Sequence, residues 1–164
     1  MGFDRALTVR GALAGGIAAG VWVLQQPLDK RVFGCGYDDV ELLGRAVVPR
    51  AGRATWYPLG LVLHVQNGAL FGAVYANVAG RLPLPGVVRG VAAGLAEHVA
   101  LWPLGRMSDR LHPAREDLPR LTGNRRAFWQ AGWRHLLFGV VLGVVERRLN
   151  GALPVRVPPP PAAF

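Results

Sequence analysis

Glu97 and Arg134 are the charged residues that stand inside otherwise uncharged apolar stretches, Gly90 to Leu104 and Ala127 to Val145. A charge in such surroundings is costly unless it is paired, and within a bilayer an ionisable side chain marks a functional position by default. Glu97 lies about seven residues before the end of its stretch and Arg134 about six residues into the other. At about 1.5 Å of rise per residue both sit roughly 10 Å inside, so an intramembrane Glu97–Arg134 ion pair is expected. Either a register-fixing salt bridge or a functional pair satisfies that expectation. His64 and His135 share this depth, and His98 adjoins Glu97. With Asn67 and Gln66 they form a candidate polar cluster suited to proton relay or to holding a polar headgroup. Hydrogen bonding across helices is the simpler role for the same histidines.

No cofactor is predicted from these residues. One alternative is a b-type haem ligated axially by His64 and His135, with neighbouring glycines making room for the macrocycle. Cys35 is the lone cysteine, which excludes an intrachain disulfide and a thiolate metal cage; no metal site is expected. GxSxG, HExxH, CxxC and P-loop patterns are absent, and the GxxxG runs lie within apolar stretches away from any phosphate. The sequence therefore favours a non-enzymatic protein.

The elements that position these residues are two similar pairs of helices. His64 to Gly72 reads HVQNGALFG, and His135 to Gly143 reads HLLFGVVLG. In each, a histidine is followed at four-residue steps by two glycines, Gly68 and Gly72 or Gly139 and Gly143, which share one helical stripe. Upstream, GIAAGV at Gly16 and Gly20 corresponds to GVAAGL at Gly90 and Gly94. The ordered matches predict a duplication over about 11–82 and 86–149. These eight glycines are the expected packing positions, because small residues at four-residue spacing let helices approach closely in lipid.

Charge and apolarity are segregated along the chain. It carries 19 basic residues and a net charge of +9, yet half of it is apolar and mean hydropathy is positive. Spans of about 17–25 mainly apolar residues cross a bilayer as helices, which predicts spans at about 8–27, 56–79, 87–104 and 127–145. The fold class expected is an all-α membrane protein, with four transmembrane helices arranged as two parallel two-helix repeats in a pseudo-twofold bundle. The second and fourth spans should face one another or occupy equivalent grooves. Pro27 should end or kink the first. Residues 1–153 then form the transmembrane domain and 154–164, with four consecutive prolines, a flexible tail.

The basic residues lie mostly between the spans, where orientation rather than nucleic acid accounts for them; no nucleic-acid partner is expected. Lysine and arginine concentrate in connections 29–55 and 105–126, placing both in the cytoplasm. Residues 38–48 suit either a short amphipathic helix on the bilayer surface or a solvated loop. The expected partners are the lipid bilayer and a second copy or a larger membrane complex, since glycine seams remain on the first and third spans.

The GIAAGV and GVAAGL segments together with HVQNGALFG and HLLFGVVLG resemble the YagU-like small bacterial inner-membrane proteins, a group without an assigned reaction. The resemblance implies a multi-pass protein of the bacterial cytoplasmic membrane and a link to acid tolerance. The first functional expectation is a structural or accessory subunit of a membrane complex. The alternative is a small transporter or channel using the polar cluster, and the further alternative a bis-histidine haem electron carrier.

Overall fold

The computed structural model describes residues 4–79 and 82–151, and all regular structure among them is helical. The proline tail at 154–164 and the Gly80–Arg81 link lie outside the described residues. Helix α1 (Arg5–Phe33) starts where the Asp4 carboxylate accepts from the Leu7 amide. It runs through Pro27 and stops at Gly34, whose φ of 57° is a left-handed helix stop. Pro27 thus deletes one backbone hydrogen bond without ending the helix, the first of the two outcomes expected of it, and α1 carries on to hold Asp29 within the helix.

Asp38 caps α2 (Asp39–Val47) by accepting from the Val40 and Glu41 amides. Of the two expectations for this stretch, a helix rather than a loop forms. It docks on α3 (Arg53–Ala79), where a Cβ on Gly44 would strike the Trp56 carbonyl and one on Gly60 would strike that of Val40. Helix α4 (Gly86–Leu101) is followed by a 3₁₀ turn at Trp102–Leu104 and by α5 (Gly105–Leu111), so the helix ends earlier than the span expected at 87–104. Asn124 caps α6 (Arg125–Asn150) through the Ala127 amide.

Glycine sets the pairing. A Cβ on Gly15 would collide with the Gly68 carbonyl oxygen and one on Gly72 with that of Gly11, which locks α1 against α3. In α4 and α6 the same relation holds between Gly90 and the Gly139 carbonyl, and between Gly143 and that of Gly86. Gly94 adds a close approach to the His135 carbonyl. Gly68, Gly72, Gly90, Gly94, Gly139 and Gly143 are therefore at the seams. Gly16 and Gly20 are not: Gly16 has only loose neighbours and Gly20 has open space beside it. The α1 seam lies one residue earlier, at Gly11 and Gly15. This shifts the correspondence between α1 and α4 from Gly16/Gly90 to Gly15/Gly90, while α3 and α6 keep the His64/His135 alignment.

The pairs meet asymmetrically. Helix α1 packs along α6, whereas α3 and α6, expected to face one another or to occupy equivalent grooves, meet more sparsely, with the Phe71 and Phe138 rings 5.5 Å apart. Burial is inverted relative to a water-soluble bundle. Gly, Ala and polar side chains fill much of the interior beside Trp22, Tyr75, Phe138 and Leu142, while Leu13, Leu24, Val62, Leu70, Val88 and Val99 face outward. Helices α1 and α3 are each long and apolar enough to cross a membrane. Helix α4 has 16 residues, and the continuous helix α6 carries a buried arginine in its apolar stretch.

Candidate functional site

Arg134 is fully buried, and its partner is not Glu97. Its guanidinium forks onto Asp29 of α1, with Nε donating to one carboxylate oxygen at 2.7 Å and Nη2 to the other at 2.6 Å. Nη1 donates to Asp39 at 2.8 Å and Nη2 also to the Tyr37 carbonyl at 3.0 Å. The planar fork suits this bidentate geometry. One helical turn earlier on the same face, Gln130 donates to Asp29 at 2.6 Å and to the Cys35 carbonyl at 3.2 Å. The expected Glu97–Arg134 pair fails because α1 continues past Pro27 and delivers Asp29 to the arginine first.

Asp39, at the start of α2, is the hinge between this knot and the open space beside it. Besides Arg134 it accepts from the Trp22 indole at 3.1 Å and the Tyr37 hydroxyl at 2.6 Å. Burial pushes the Asp39 carboxyl up, but the Arg134 guanidinium, the nearby His64 and the Tyr37 hydrogen bond together outweigh this and hold it below the ordinary carboxylate value. Tyr37 moves the other way: burial, reinforced by the neighbouring Asp39 charge, raises its hydroxyl well above the ordinary phenol value. Both therefore stay in their hydrogen-bonding forms at neutral pH, Asp39 as acceptor and Tyr37 as donor.

Beyond Asp39 lies a cavity of about 640 Å³, within the range of small-molecule sites. His64, Asn67, His98 and His135 all line it, together with Glu97. The anticipated polar cluster thus converges on one space, although Gln66 lies exposed outside the lining. His64 and His98 are more than nine-tenths buried, and the Nε2 atom of each has no hydrogen-bond partner. Nδ1 of His135 bonds the Ala131 carbonyl at 2.8 Å. That bond puts the ring proton on Nδ1 and leaves Nε2 as an acceptor. No family model matches this chain, and no curated protein or solved structure matches it. The site is accordingly read from its own geometry.

The Trp22 indole is in edge contact with His64 at 5.2 Å and His135 at 4.7 Å between ring centroids. A haem between those imidazoles would have to displace it. His98 stacks at an incline near His135, Phe128 and Trp102, the nearest centroid at 4.6 Å. Among the described residues no group of three or more His, Cys, Asp or Glu side chains is arranged to hold a metal.

The two long connections wall the cavity at one end. Leu42, Leu43 and Ala46 come from α2, and Met107, Ser108 and Leu111 from α5. His112 joins them, its Nε2 bonding the Leu42 carbonyl at 2.9 Å while Nδ1 accepts from the Ala114 amide. Sequence reasoning missed Asp29, Tyr37, Asp39, Trp22 and Gln130. One usable signal was present: Gln130 and Arg134 stand four residues apart on one face of an apolar stretch, and such a pair calls for more than a single carboxylate.

Proposed function

We propose that the protein is a four-span integral membrane protein that binds a small amphipathic molecule in the cavity between its two helix pairs. In this reading α1, α3, α4 and α6 are the spans and the pairs are duplicated units about a pseudo-twofold axis along the bundle. The inverted burial supports the membrane setting, because outward Leu and Val with inward Gly, Ala and polar groups is favourable only where lipid replaces water. The basic connections support an orientation in which the α2 and α5 end faces the cytoplasm of a bacterial cell.

The cavity carries the functional half of the proposal. A half-open cavity of about 640 Å³ leaves its lining short of packing contacts unless something occupies it, which a pure scaffold does not need. Buried imidazole nitrogens left without partners cost further stability. Both costs fall when a ligand fills the volume and supplies hydrogen bonds. The transporter or channel alternative therefore gains over the accessory subunit, with ligand binding as its first step.

Intact mass spectrometry of the protein extracted from its membrane in mild detergent tests this. The chain should remain with the membrane pellet through an alkaline carbonate wash. It should also carry a dissociable adduct of a few hundred daltons, absent from a cavity-filling Asn67→Trp variant. A chain released by carbonate, or one that carries no adduct and retains only protein partners, would overturn the reading.

A further inference from the structure

We infer that the cavity selects a protonated amine with an apolar body, its ammonium group held at Glu97. The inference rests on the reading of the cavity as a small-molecule site and names the ligand's chemistry.

The charges of the wall decide the sign. Neither lysine nor arginine lines the cavity, and its carboxylates are Asp39 and Glu97. Asp39 is already occupied by Arg134, Trp22 and Tyr37. Glu97 has no hydrogen-bond or ionic partner among the described residues, although it is only partly exposed. An anionic ligand would meet a second negative charge with no cation in reach. A neutral ligand would leave Glu97 without a cation, so that the side chain could shed its charge only by taking up a proton. A cationic ligand offsets the charge.

The hydrogen-bonding inventory agrees. An ammonium group is a donor with no acceptor capacity. The cavity wall that would receive it includes the Glu97 carboxylate, His135 with its acceptor Nε2, and the Asn67 amide. The unpartnered Nε2 atoms of the buried His64 and His98 give two more places for an acceptor. Trp22, Phe71, Trp102 and Phe138 add aromatic surface to the same wall, and ring faces attract cations. The remainder is apolar, with Leu42, Leu43, Leu101 and Leu104 disposed to cover a hydrocarbon body.

Three probes with one tail separate the terms: octylammonium, octanol and octanoate, titrated at neutral pH into the full chain in lipid nanodiscs. Tryptophan fluorescence reports binding, because Trp22 and Trp102 lie in the wall. Octylammonium should bind saturably and about tenfold tighter than octanol, with octanoate weakest. Glu97→Gln should remove most of the octylammonium advantage and leave octanol unchanged, whereas Glu97→Asp should keep part of it. Equal affinities for all three on the wild-type chain, or octanoate binding best, would overturn the cation inference while leaving the cavity a ligand site. Saturable binding of none of the three would overturn the proposed function itself. The wild-type series decides the matter even where Glu97→Gln fails to fold.

Discussion

The helix pair α1/α3 and the helix pair α4/α6 share one glycine seam and differ in what stands beside it. Moving from Gly15 to Gly90 along the first members, and from Gly68 to Gly139 along the second, carries each seam contact onto its counterpart. By the same steps Trp22 corresponds to Glu97, and Leu63 to Arg134. Trp22 fills the α1–α6 side, meeting His135 and Phe138, and Arg134 then ties α6 to Asp29. The related α3–α4 side is joined near the short link, where the Tyr75 hydroxyl donates to the Gly86 carbonyl at 3.2 Å and Arg89 to that of Ala79 at 2.7 Å. Away from the link it opens into the cavity, with Glu97 at the wall. A repeated frame sets the distance between helices, and a few unmatched side chains decide which side closes.

The largest test of that asymmetry removes Arg134. Arg134→Met strands Asp29 as a buried carboxylate with no cation and should cost about 3–5 kcal/mol. Thermal unfolding in detergent followed by size-exclusion fluorescence reads this as a large drop in midpoint. The matched change in the other half, Leu63→Met, conserves volume and should cost less than about 1.5 kcal/mol. Equal losses at the two positions would mean that the knot does not distinguish the halves. A double variant, Asp29→Leu with Arg134→Met, should recover part of the loss, because neither charge is then left alone.

The seams themselves should respond alike. Gly15→Ala and Gly90→Ala each drive a methyl group into a facing carbonyl and should lose about 1–3 kcal/mol, by similar amounts if the two registers are equivalent. Gly20→Ala should do the reverse. Nothing lies within 4 Å of its Cβ position, so alanine should gain up to about 1 kcal/mol of helix propensity. Midpoints measured side by side check all three, and a destabilising Gly20→Ala would contradict the seam assignment.

The legible part of this molecule is the part written in periodicity. Four-residue glycine spacing disclosed the α3, α4 and α6 seams, and apolar runs located the long helices. The polar cluster was legible because His64 and His135 occupy equivalent places. The α1 seam was misread by one residue because glycine occurs at positions 11, 15, 16 and 20, so two overlapping stripes fit the same stretch. Proline suggested a helix end that tertiary packing overrode, and with it went the true partner of Arg134. Asp39 was illegible for another reason: its role depends on α2 folding back onto α3 through Gly44 and Gly60, a contact between segments that share no repeat.

The connections offer the finest comparison, and one titration sharpens it. In the first connection Asp38 caps a helix that is packed on α3; in the second, Asp109 holds a turn by accepting from the Leu121 amide at 2.8 Å and the Thr122 amide at 2.7 Å. Slight burial pushes the Asp109 carboxyl up, but hydrogen bonds from Thr122 and Leu121, with Arg120 nearby, bring it below the ordinary value. A carboxyl lowered by folding stabilises the fold above its unfolded pKa of about 3.9. That contribution is lost as pH falls through the lower folded value. Because the group is partly exposed, solvent screening keeps the effect under about 1 kcal/mol. Asp109→Asn cannot titrate, so its thermal midpoint should fall less steeply than that of the wild type as pH is lowered toward 3. Parallel slopes would show that the carboxylate does not hold the α5 end of the cavity, and that the second connection is secured by its other contacts, the His112 bond to the Leu42 carbonyl and the Arg45–Asp117 pair among them.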